Sequence, residues 1–512
     1  MKTTGDKISI NGKSFTLGER VGGGGEGSVF KLELPKGTAA VKIVNTSKKS
    51  DEDITKIKQR IKQLIDIRSK SREKAQNTDL VPLSTFMSLP QYELEDDVGY
   101  VMKFVDNSEP LTNFLTLPTE ETQDEWQKKY DLFRKYKVIT YLFERLEKIH
   151  IEGLIFSDLS PNNILVSTKP DNSITFIDTD NLRTRDNPFT NVLGTPGYIA
   201  PEILKGGYDS TALTKDENTK LNSIHMLSEE SDIYSAAVIA FQLLTFCHPY
   251  KGIKATGPDT TPEDELAAEK GEFDYILKPG TDNYCVNNIF IDKFNDITTP
   301  EIRKLFSKTF VEGKNNPLRR PSASEFKEAF QRAGRLIVKC PKCGEESVYS
   351  LTFSNKNDLV SDSECINPDC KAKISNQLML IISAENPEHS VDGSLLNTSE
   401  FILSPNNVYL SKIILKEGVT EMIYLTDLGN STDLTKSNRF MQISVRKNEV
   451  TIQLEQNLQN NVVQIISEKG KPSLPVSVGS KTNFPIENHY LRFNDIKTKY
   501  GTITLYGKIL RV

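Results

Sequence analysis

The chain has 512 residues, of which 37% are hydrophobic and 26% are charged, and its formal net charge is −5. This length predicts three to four domains of about 150 residues each, and the composition is typical of globular protein. The mildly acidic balance excludes a global attraction to nucleic acid or to an anionic membrane surface. Because no apolar run approaches the ~18 residues of a spanning helix and residues 1–14 lack a signal-peptide core, we expect a cytoplasmic protein.

Short strands separated by glycines are predicted over residues 8–44. Residues 22–29 follow the pattern G-x-G-x-x-G-x-V, with Gly22, Gly24, Gly27 and Val29 in the defining places. Glycine is needed where backbone N–H groups must approach phosphate oxygens without a Cβ in between. Strand-like residues follow the glycines, which disfavours a Rossmann-type dinucleotide site. Taken alone, a glycine cluster of this kind favours a flexible hairpin over a phosphate-binding loop.

The next elements alternate between strand and helix. Lys42 lies inside an apolar strand, where its side chain either points to solvent or contacts a ligand. The apolar spacing over residues 51–75 predicts a helix, and no glutamate occupies the middle of it. Residues 99–105 are predicted as an apolar strand that leads into a polar turn.

A polar loop follows an amphipathic helix predicted over residues 127–149. It holds Asp158 and Asn163, five residues apart, and leads directly into an apolar run, while Asp178 caps a second such run. One carboxylate can act as a base beside a nucleophile, and an amide together with a second carboxylate can bind a metal ion. Two Asp and one Asn in loops carry no functional meaning alone, so the interpretation depends on the surrounding motifs.

Three later motifs are more specific. Residues 194–202 read G-T-P-G-Y-I-A-P-E, residues 232–235 begin an apolar helix with D-I-Y-S, and residues 316–322 read N-P-L-R-R-P-S. In this order, and with the earlier motifs, they resemble eukaryotic-like protein kinases, whose characteristic forms include H-R-D-L-x-x-x-N, D-F-G and A-P-E. The pattern of substitutions is most similar to serine/threonine kinases of the bacterial type.

The resemblance covers residues 8–333 and implies an α+β, bilobal protein-kinase fold. The N-lobe is expected at residues 8–105 and the C-lobe at residues 106–333. It implies that Asp158 accepts the proton of the substrate hydroxyl, and that Asn163 and Asp178 hold Mg²⁺ or Mn²⁺ on the phosphates of ATP. The ATP-binding positions implied in this way are Lys42 on the α- and β-phosphates, Gly22, Gly24, Gly27 and Val29 in the glycine loop, and Met102 (the gatekeeper), Lys103 and Val105 between the lobes.

Two ion pairs are implied by the same resemblance. Kinases pair the strand lysine with a glutamate of the following helix. By the family's spacing between this residue and the next strand, Asp66 fits best here, followed by Glu73. The second pair joins Glu202 of the A-P-E motif to Arg320 of the late motif, and we expect it to be structural.

Three places depart from the family pattern. Residues 156–157 are Phe-Ser instead of His-Arg, which predicts activity without phosphorylation of the activation segment. Ser160 replaces a lysine near the γ-phosphate, and residues 179–180 are Thr-Asp instead of Phe-Gly. Because the base and metal positions are retained, we expect an ATP- and Mg²⁺-dependent serine/threonine protein kinase, with Thr190 as its site of autophosphorylation. A pseudokinase scaffold is the alternative that the departures favour.

Four of the six cysteines form C-x2-C and C-x4-C pairs separated by 21 residues, namely Cys340, Cys343, Cys365 and Cys370. This pattern looks like a zinc ribbon over residues 336–375, in which four thiolates close a structural Zn²⁺ site. The second pair disfavours a redox C-x-x-C motif, and no basic and aromatic cluster supports nucleic-acid binding. Cys247 and Cys285 are expected to be isolated buried residues.

Residues 376–512 switch to a period of two, with Asn, Gly, Asp and Ser between the short apolar runs. The pattern predicts an all-β sandwich used for protein contacts. Residues 491–495 resemble the closing hairpin of forkhead-associated domains, although no phosphothreonine-binding set of side chains is evident. The partners implied are protein substrates and, by family analogy, a phosphatase.

Overall fold

The fold is given by a computed structural model of the chain. It describes residues 2–35, 37–78, 80–117, 125, 128–184, 194–205, 227–286, 288–349, 352–353, 359–360, 364–374, 377–383, 409–424, 439–447, 449–455, 462–467, 472–486, 489–498 and 501–511. The expected autophosphorylation site, Thr190, lies outside these residues. The chain forms two compact units, which are Met1–Asp292 with Glu301–Lys327, and Lys293–Pro300 with Glu328–Val512.

An antiparallel five-stranded sheet forms the N-terminal part of the first unit, with the order β3-β4-β5-β7-β6, and a two-stranded hairpin precedes it. Its elements are β1 (Lys7–Ile10), β2 (Lys13–Thr16), β3 (Arg20–Gly24), β4 (Gly27–Leu34), β5 (Gly37–Val44), α1 (Asp51–Gln76), β6 (Pro90–Glu93) and β7 (Gly99–Lys103). The predicted strands of this region and the helix predicted over residues 51–75 are therefore confirmed.

The two faces of the sheet bury different apolar clusters. In β5, Val41 and Ile43 pack into one cluster with β4 and the first hairpin. Ala40 belongs to a second cluster with Ile61 of α1. Because side chains alternate across a strand, Lys42 lies on the same face as Ala40, beneath α1. The lysine is buried, so the solvent-facing alternative is excluded.

A capping box starts α1 at the expected residue. The Ser50 hydroxyl accepts a hydrogen bond from the Asp53 N–H at 3.2 Å, and the Asp53 carboxylate accepts one from the Ser50 N–H at 3.0 Å. Acidic residues in the first turn also favour the positive end of the helix dipole. The local sequence therefore determines where this helix begins.

The rest of the first unit is mainly helical. Its short strands form the sheet β11-β10-β8 and the pair β12-β9. In chain order the elements are β8 (Ser108–Pro110), α2 (Leu132–Ile151), β9 (Leu154–Ile155), β10 (Ile164–Ser167), β11 (Ile174–Phe176), β12 (Arg183–Thr184), α3 (Pro201–Lys205), α4 (Glu229–Thr245), α5 (Ile253–Thr256), α6 (Pro262–Glu269), α7 (Ile289–Asp292), α8 (Pro300–Ser307) and α9 (Ala323–Gly334).

Helices α2 and α4 form the core of this helical part. Helix α2 begins five residues later than predicted because the Asp131 side chain caps it, accepting from the Arg134 N–H at 2.8 Å. Almost every residue of α4 is buried, as its continuously apolar sequence requires. Its aromatic residue Tyr234 packs edge-to-face on Phe310, with 5.9 Å between the ring centroids.

The second unit contains two small hairpins and two larger antiparallel sheets, with the strand orders β18-β17-β26-β25-β22-β23 and β19-β20-β21-β24. The strands are β13 (Ile337–Lys339), β14 (Glu346–Val348), β15 (Thr352–Phe353), β16 (Leu359–Val360), β17 (Leu378–Ser383), β18 (Tyr409–Leu415), β19 (Thr420–Tyr424), β20 (Arg439–Arg446), β21 (Glu449–Leu454), β22 (Val463–Ser467), β23 (Pro472–Pro475), β24 (Lys481–Phe484), β25 (His489–Thr498) and β26 (Gly501–Arg511). One apolar cluster includes Leu380, Ile413 and Leu491 of the larger sheet and Ile443 and Ile452 of the smaller one. The β-rich character expected for this region is confirmed.

Among the described residues, no helix combines the length and the apolar character that crossing a membrane requires.

Candidate active site

A buried carboxylate on α4 holds the polar loop that contains Asp158. The Asp232 side chain accepts hydrogen bonds from the backbone N–H groups of Phe156 at 2.7 Å and of Ser157 at 2.9 Å. It also lies 3.1 Å from His150 Nε2. Ser157 has a φ of +72°, a strained conformation for a residue with a side chain. The hydrogen bonds to Asp232 stabilise this conformation.

Asp158 is half-buried at the end of this loop. Its Oδ1 accepts a hydrogen bond from the Thr195 hydroxyl at 2.7 Å, and its Oδ2 lies 3.4 Å from Asn181 Nδ2. Burial raises the pKa of the Asp158 carboxyl above its ordinary value, and the hydrogen bond from Thr195 opposes that shift. The carboxylate can therefore accept a proton more readily than an exposed aspartate.

Asn163 is buried next to the same loop. Its Nδ2 donates a hydrogen bond to the backbone carbonyl of Asp158 at 2.8 Å. This bond orients the amide and leaves Oδ1 as the atom available to a cation. An amide oxygen is a suitable ligand for Mg²⁺, as is the carboxylate of Asp178. The donor set fits the metal that the sequence predicts.

Lys42 lies between two carboxylates of the segment that follows β11. Its Nζ is 2.6 Å from Asp178 Oδ1 and 2.6 Å from Asp180 Oδ2. The lysine side chain is only 10% exposed, whereas Asp178 is 45% and Asp180 29% exposed. Burial of the ammonium group lowers its pKa, but the charges of Asp180 and Asp178 outweigh burial and raise the pKa above the ordinary value.

The predicted pairing of Lys42 with Asp66 or Glu73 is wrong. Asp66 forms an exposed pair with Lys70 at 2.8 Å, one turn away on α1. Glu73 is also exposed, near the end of the helix. Both residues face solvent because the apolar face of α1 packs on the sheet, so neither can reach the buried ammonium group.

The glycine loop is the turn between β3 and β4. A Cβ at Gly27 would lie 2.5 Å from the carbonyl oxygen of Ile43, so this glycine is required for the approach of β5. A Cβ at Gly22 would meet only the Cβ of Val29 at 4.0 Å, and one at Gly24 would meet nothing within 4 Å. The space beside the backbone at these two positions is therefore open.

The predicted adenine-binding residues lie at the exit of β7. Met102 is buried opposite Ala40 of β5, beneath α1. Lys103 is exposed, and its backbone carbonyl accepts a hydrogen bond from the Ser88 hydroxyl at 2.7 Å. The Val105 carbonyl accepts one from Ser108 at 2.9 Å. These two hydroxyl contacts were not foreseen from the sequence.

The predicted pair between Glu202 and Arg320 is confirmed. The guanidinium donates two parallel hydrogen bonds, at 2.7 Å to Glu202 Oε1 and at 2.6 Å to Oε2. The Arg320 side chain is fully buried and also donates to the carbonyl oxygens of Glu230 and Gly313. This arrangement fixes the end of the activation segment to the helical core.

A family model for the protein kinase domain matches residues 15–329, which is more than half of the chain. The chain belongs to the protein kinase family. The match covers the glycine loop, Lys42, the loop of Asp158 and Asn163, and Asp178. It also implies a bilobal α+β fold, which agrees with the sheet and the helical part of the first unit.

Curated relatives are kinases with partial similarity to this chain. "Calcium-dependent protein kinase 5" of Plasmodium berghei is 33% identical over 123 residues, which is 23% of this chain and 18% of that protein. "CDPK-related protein kinase" of Daucus carota is 23% identical over 393 residues, or 70% and 58% of the two chains. "Dual specificity protein kinase TTK" of Mus musculus is 24% identical over 255 residues, which is 48% of this chain and 26% of that protein. The chain spans less than two thirds of the length of each of these relatives.

The four cysteines of the C-x2-C and C-x4-C pairs lie close together. Their sulfur atoms all lie within 4.8 Å of one another, with 3.7 Å between Cys340 and Cys370 and 3.4 Å between Cys343 and Cys365. In a tetrahedral site with Zn–S bonds of ~2.3 Å, neighbouring sulfurs are about 3.8 Å apart. The cluster therefore has the size that such a site requires.

The remaining two cysteines were wrongly expected to be isolated. Cys247 and Cys285 are half-buried, and their sulfur atoms lie 3.5 Å apart. Asn288 Nδ2 donates to the Cys247 sulfur at 2.8 Å. The two cysteines are 38 residues apart in the chain, and no sequence motif marks their proximity.

Several residues of the site were not assigned to it from the sequence. Thr195 contacts Asp158, and the Tyr100 hydroxyl donates to Asp180 Oδ1 at 2.6 Å. Arg60 of α1 donates from Nε to the Asp180 carbonyl at 3.0 Å. The sequence marked Asp180 only as a departure from the family pattern, because it stands where the family has a glycine.

We expect Arg320→Met to lower the free energy of unfolding of the first unit by about 3–5 kcal/mol, because it leaves the Glu202 carboxylate without its buried partner. Urea titration followed by circular dichroism measures this change. Asp66→Asn, which breaks an exposed pair, is the control and should cost less than about 1 kcal/mol. Equal costs for the two variants would contradict the anchoring function of the Glu202–Arg320 pair.

Proposed function

We propose that this protein is an ATP- and Mg²⁺-dependent serine/threonine kinase that transfers the γ-phosphoryl group of ATP to hydroxyl groups of protein substrates. The main support is the arrangement of Asp158, Asn163 and Asp178. A half-buried carboxylate stands beside an oriented amide, and a half-exposed carboxylate follows on the next segment.

In this proposal each residue has a limited task. Asp158 orients the substrate hydroxyl and accepts its proton, helped by a raised pKa. Asn163 and Asp178 hold Mg²⁺, which neutralises charge on the transferred phosphoryl group. Lys42 contacts the phosphates of ATP, the open backbone at Gly22 and Gly24 lies over them, and Met102, Lys103 and Val105 meet the adenine.

Serine/threonine specificity rests on resemblance. One plant relative is named a G-type lectin S-receptor-like serine/threonine-protein kinase, whereas the mouse relative is named a dual specificity kinase. The bacterial affinity, the cytoplasmic location and a phosphatase partner stay predictions.

A pseudokinase scaffold is the second candidate. It is favoured by the contact between Lys42 and Asp178. In this contact the lysine proposed to bind phosphate and the carboxylate proposed to bind the metal are bound to each other. Retention of the base and both metal positions supports the active kinase instead.

Phosphate transfer from labelled ATP, with Mg²⁺ or Mn²⁺ and generic protein acceptors, tests the proposal. We expect label on Ser or Thr with the wild type and with the control Asp66→Asn, and a loss of at least ~100-fold in Asp158→Ala and Asp178→Ala. No transfer by the wild type, together with ATP binding that persists in Asp178→Ala, would support the scaffold.

The pKa of Asp158 should appear in the pH dependence of transfer. A hydrogen bond to a carboxylate stabilises its charged form, so Thr195→Val should raise this pKa further. The acid limb of the pH–rate profile should then move to higher pH, because the base becomes protonated at a higher pH. The exposed Thr184→Val is the matched control. An acid limb that stays in place or moves to lower pH would contradict this assignment.

We also propose that the cysteine cluster binds a structural Zn²⁺ ion as a zinc ribbon, and that the two sheets behind it form a partner-binding β-sandwich. The donor set of four thiolates leaves no open position for catalysis. Residues 491–495, which resemble part of the closing hairpin of forkhead-associated domains, lie in β25, and this strand forms a hairpin with β26.

Metal analysis of the purified chain should give about one zinc per molecule. Cys365→Ser should lose the zinc and make residues 336–375 sensitive to protease, because a three-ligand site binds the metal less tightly. Cys285→Ser is the matched control and should keep it. Wild-type protein without zinc, or unchanged zinc in Cys365→Ser, would argue against the ribbon.

A further inference from the structure

Helix α1 does not supply a carboxylate to Lys42. At its middle it offers a cation, Arg60, which donates to the backbone carbonyl of Asp180. The carboxylate comes instead from Asp180, on the segment after β11, at 2.6 Å from Lys42 Nζ. Compared with the lysine–glutamate pair of the family, the acidic partner of the lysine has moved from the helix to the metal-binding segment.

Asp180 is held on both of its carboxylate oxygens. Oδ2 accepts from Lys42, and Oδ1 accepts from the hydroxyl of Tyr100 at 2.6 Å. Tyr100 stands directly opposite Lys42 in the pairing of β5 with β7, and it is buried. Burial and then the charge of Asp180 raise the pKa of Tyr100 well above its ordinary value, so the hydroxyl stays protonated and donates.

Asp178 differs from Asp180 in its contacts. It is more exposed, at 45% against 29%, and only its Oδ1 contacts Lys42. Among the described residues no group donates to its Oδ2. A metal ion can therefore take Asp178 while Asp180 keeps both of its bonds.

Arg60 completes the arrangement. Burial lowers the pKa of its guanidinium to about 10, so it stays charged at neutral pH. The cations Lys42 and Arg60 then balance the anions Asp178 and Asp180. Because Asp180 and Arg60 attract each other, the segment after β11 is held against α1, and no acidic side chain of the helix takes part in this contact.

We propose that Asp180 is the positioning residue of Lys42: it holds the ammonium group ready for the ATP phosphates and leaves Asp178 free for Mg²⁺. This inference rests on the proposed kinase function. It makes Asp180 a second essential carboxylate with a task distinct from that of Asp178.

Steady-state transfer by four variants tests the proposal: Asp180→Asn, Lys42→Met, the double variant and the matched control Asp66→Asn. Asp180→Asn should lower kcat/KM for ATP about tenfold or more, and the double variant should be no worse than Lys42→Met, because both changes remove one interaction. The control should behave as wild type. Wild-type kcat/KM in Asp180→Asn, or losses that multiply in the double variant, would overturn the proposal.

A Mg²⁺ titration separates the two aspartates. Asp178→Asn should raise the Mg²⁺ concentration needed for half-maximal transfer, whereas Asp180→Asn should leave it within about twofold of wild type. An equal shift in both variants would make Asp180 a metal ligand and overturn the proposal.

If the wild type transfers no phosphate, the proposed function fails and the inference is decided by binding. A fluorescent ATP analogue is titrated in EDTA, where no metal contributes. Asp180→Asn and Lys42→Met should then weaken binding by the same factor, again without addition in the double variant. Undiminished binding in Asp180→Asn would overturn the inference.

Discussion

The structure of the candidate active site depends on one cluster of charges around the buried ammonium group of Lys42. Lys42 is almost inaccessible to water, and a buried ammonium group without partners would be strongly destabilising. Its two aspartates and Arg60 give a group of two cations and two anions. The cluster joins β5, β7, α1 and the segment after β11, so the sheet, the helix and Asp178, a proposed metal ligand, are held by the same contacts.

The loop of Asp158 is held by a second buried carboxylate, and this explains why the loop tolerates its unusual sequence. Asp232 accepts from the backbone N–H groups of Phe156 and Ser157, so it does not depend on which side chains stand there. Phe156 is free to pack on Phe176, with 5.0 Å between the ring centroids. Because the N–H groups that Asp232 binds belong to the backbone, this support is available with Phe-Ser at residues 156–157.

Motif order was sufficient to predict the kinase fold and to put forward Lys42, Asp158, Asn163 and Asp178 as candidate site residues, because these residues lie at set distances from glycine-rich or apolar stretches. The partner of Lys42 was not predictable in this way. The family's spacing between this residue and the following strand put Asp66 forward, but that spacing does not say which face of α1 packs on the sheet. Asp180 is 138 residues from Lys42, and only the folded chain shows that they meet.

The second unit shows the same limit. Alternation of apolar and polar residues predicted strands, and cysteine spacing predicted the sulfur cluster, since both are local patterns. The strand order, in which β17 pairs with the last strand β26, depends on contacts distant in sequence and was not predicted. In the first unit, the proximity of Cys247 and Cys285 was missed for the same reason.

The decisive experiment is a structure determined with a non-hydrolysable ATP analogue and Mg²⁺. We expect Lys42 Nζ to contact both a phosphate oxygen and Asp180, while Asp178 and Asn163 bind the metal. Separation of Lys42 from Asp180, with a residue of α1 in its place, would show that Asp180 does not position the lysine. Metal bound without Asp178 would equally contradict the proposed division of tasks between the two aspartates.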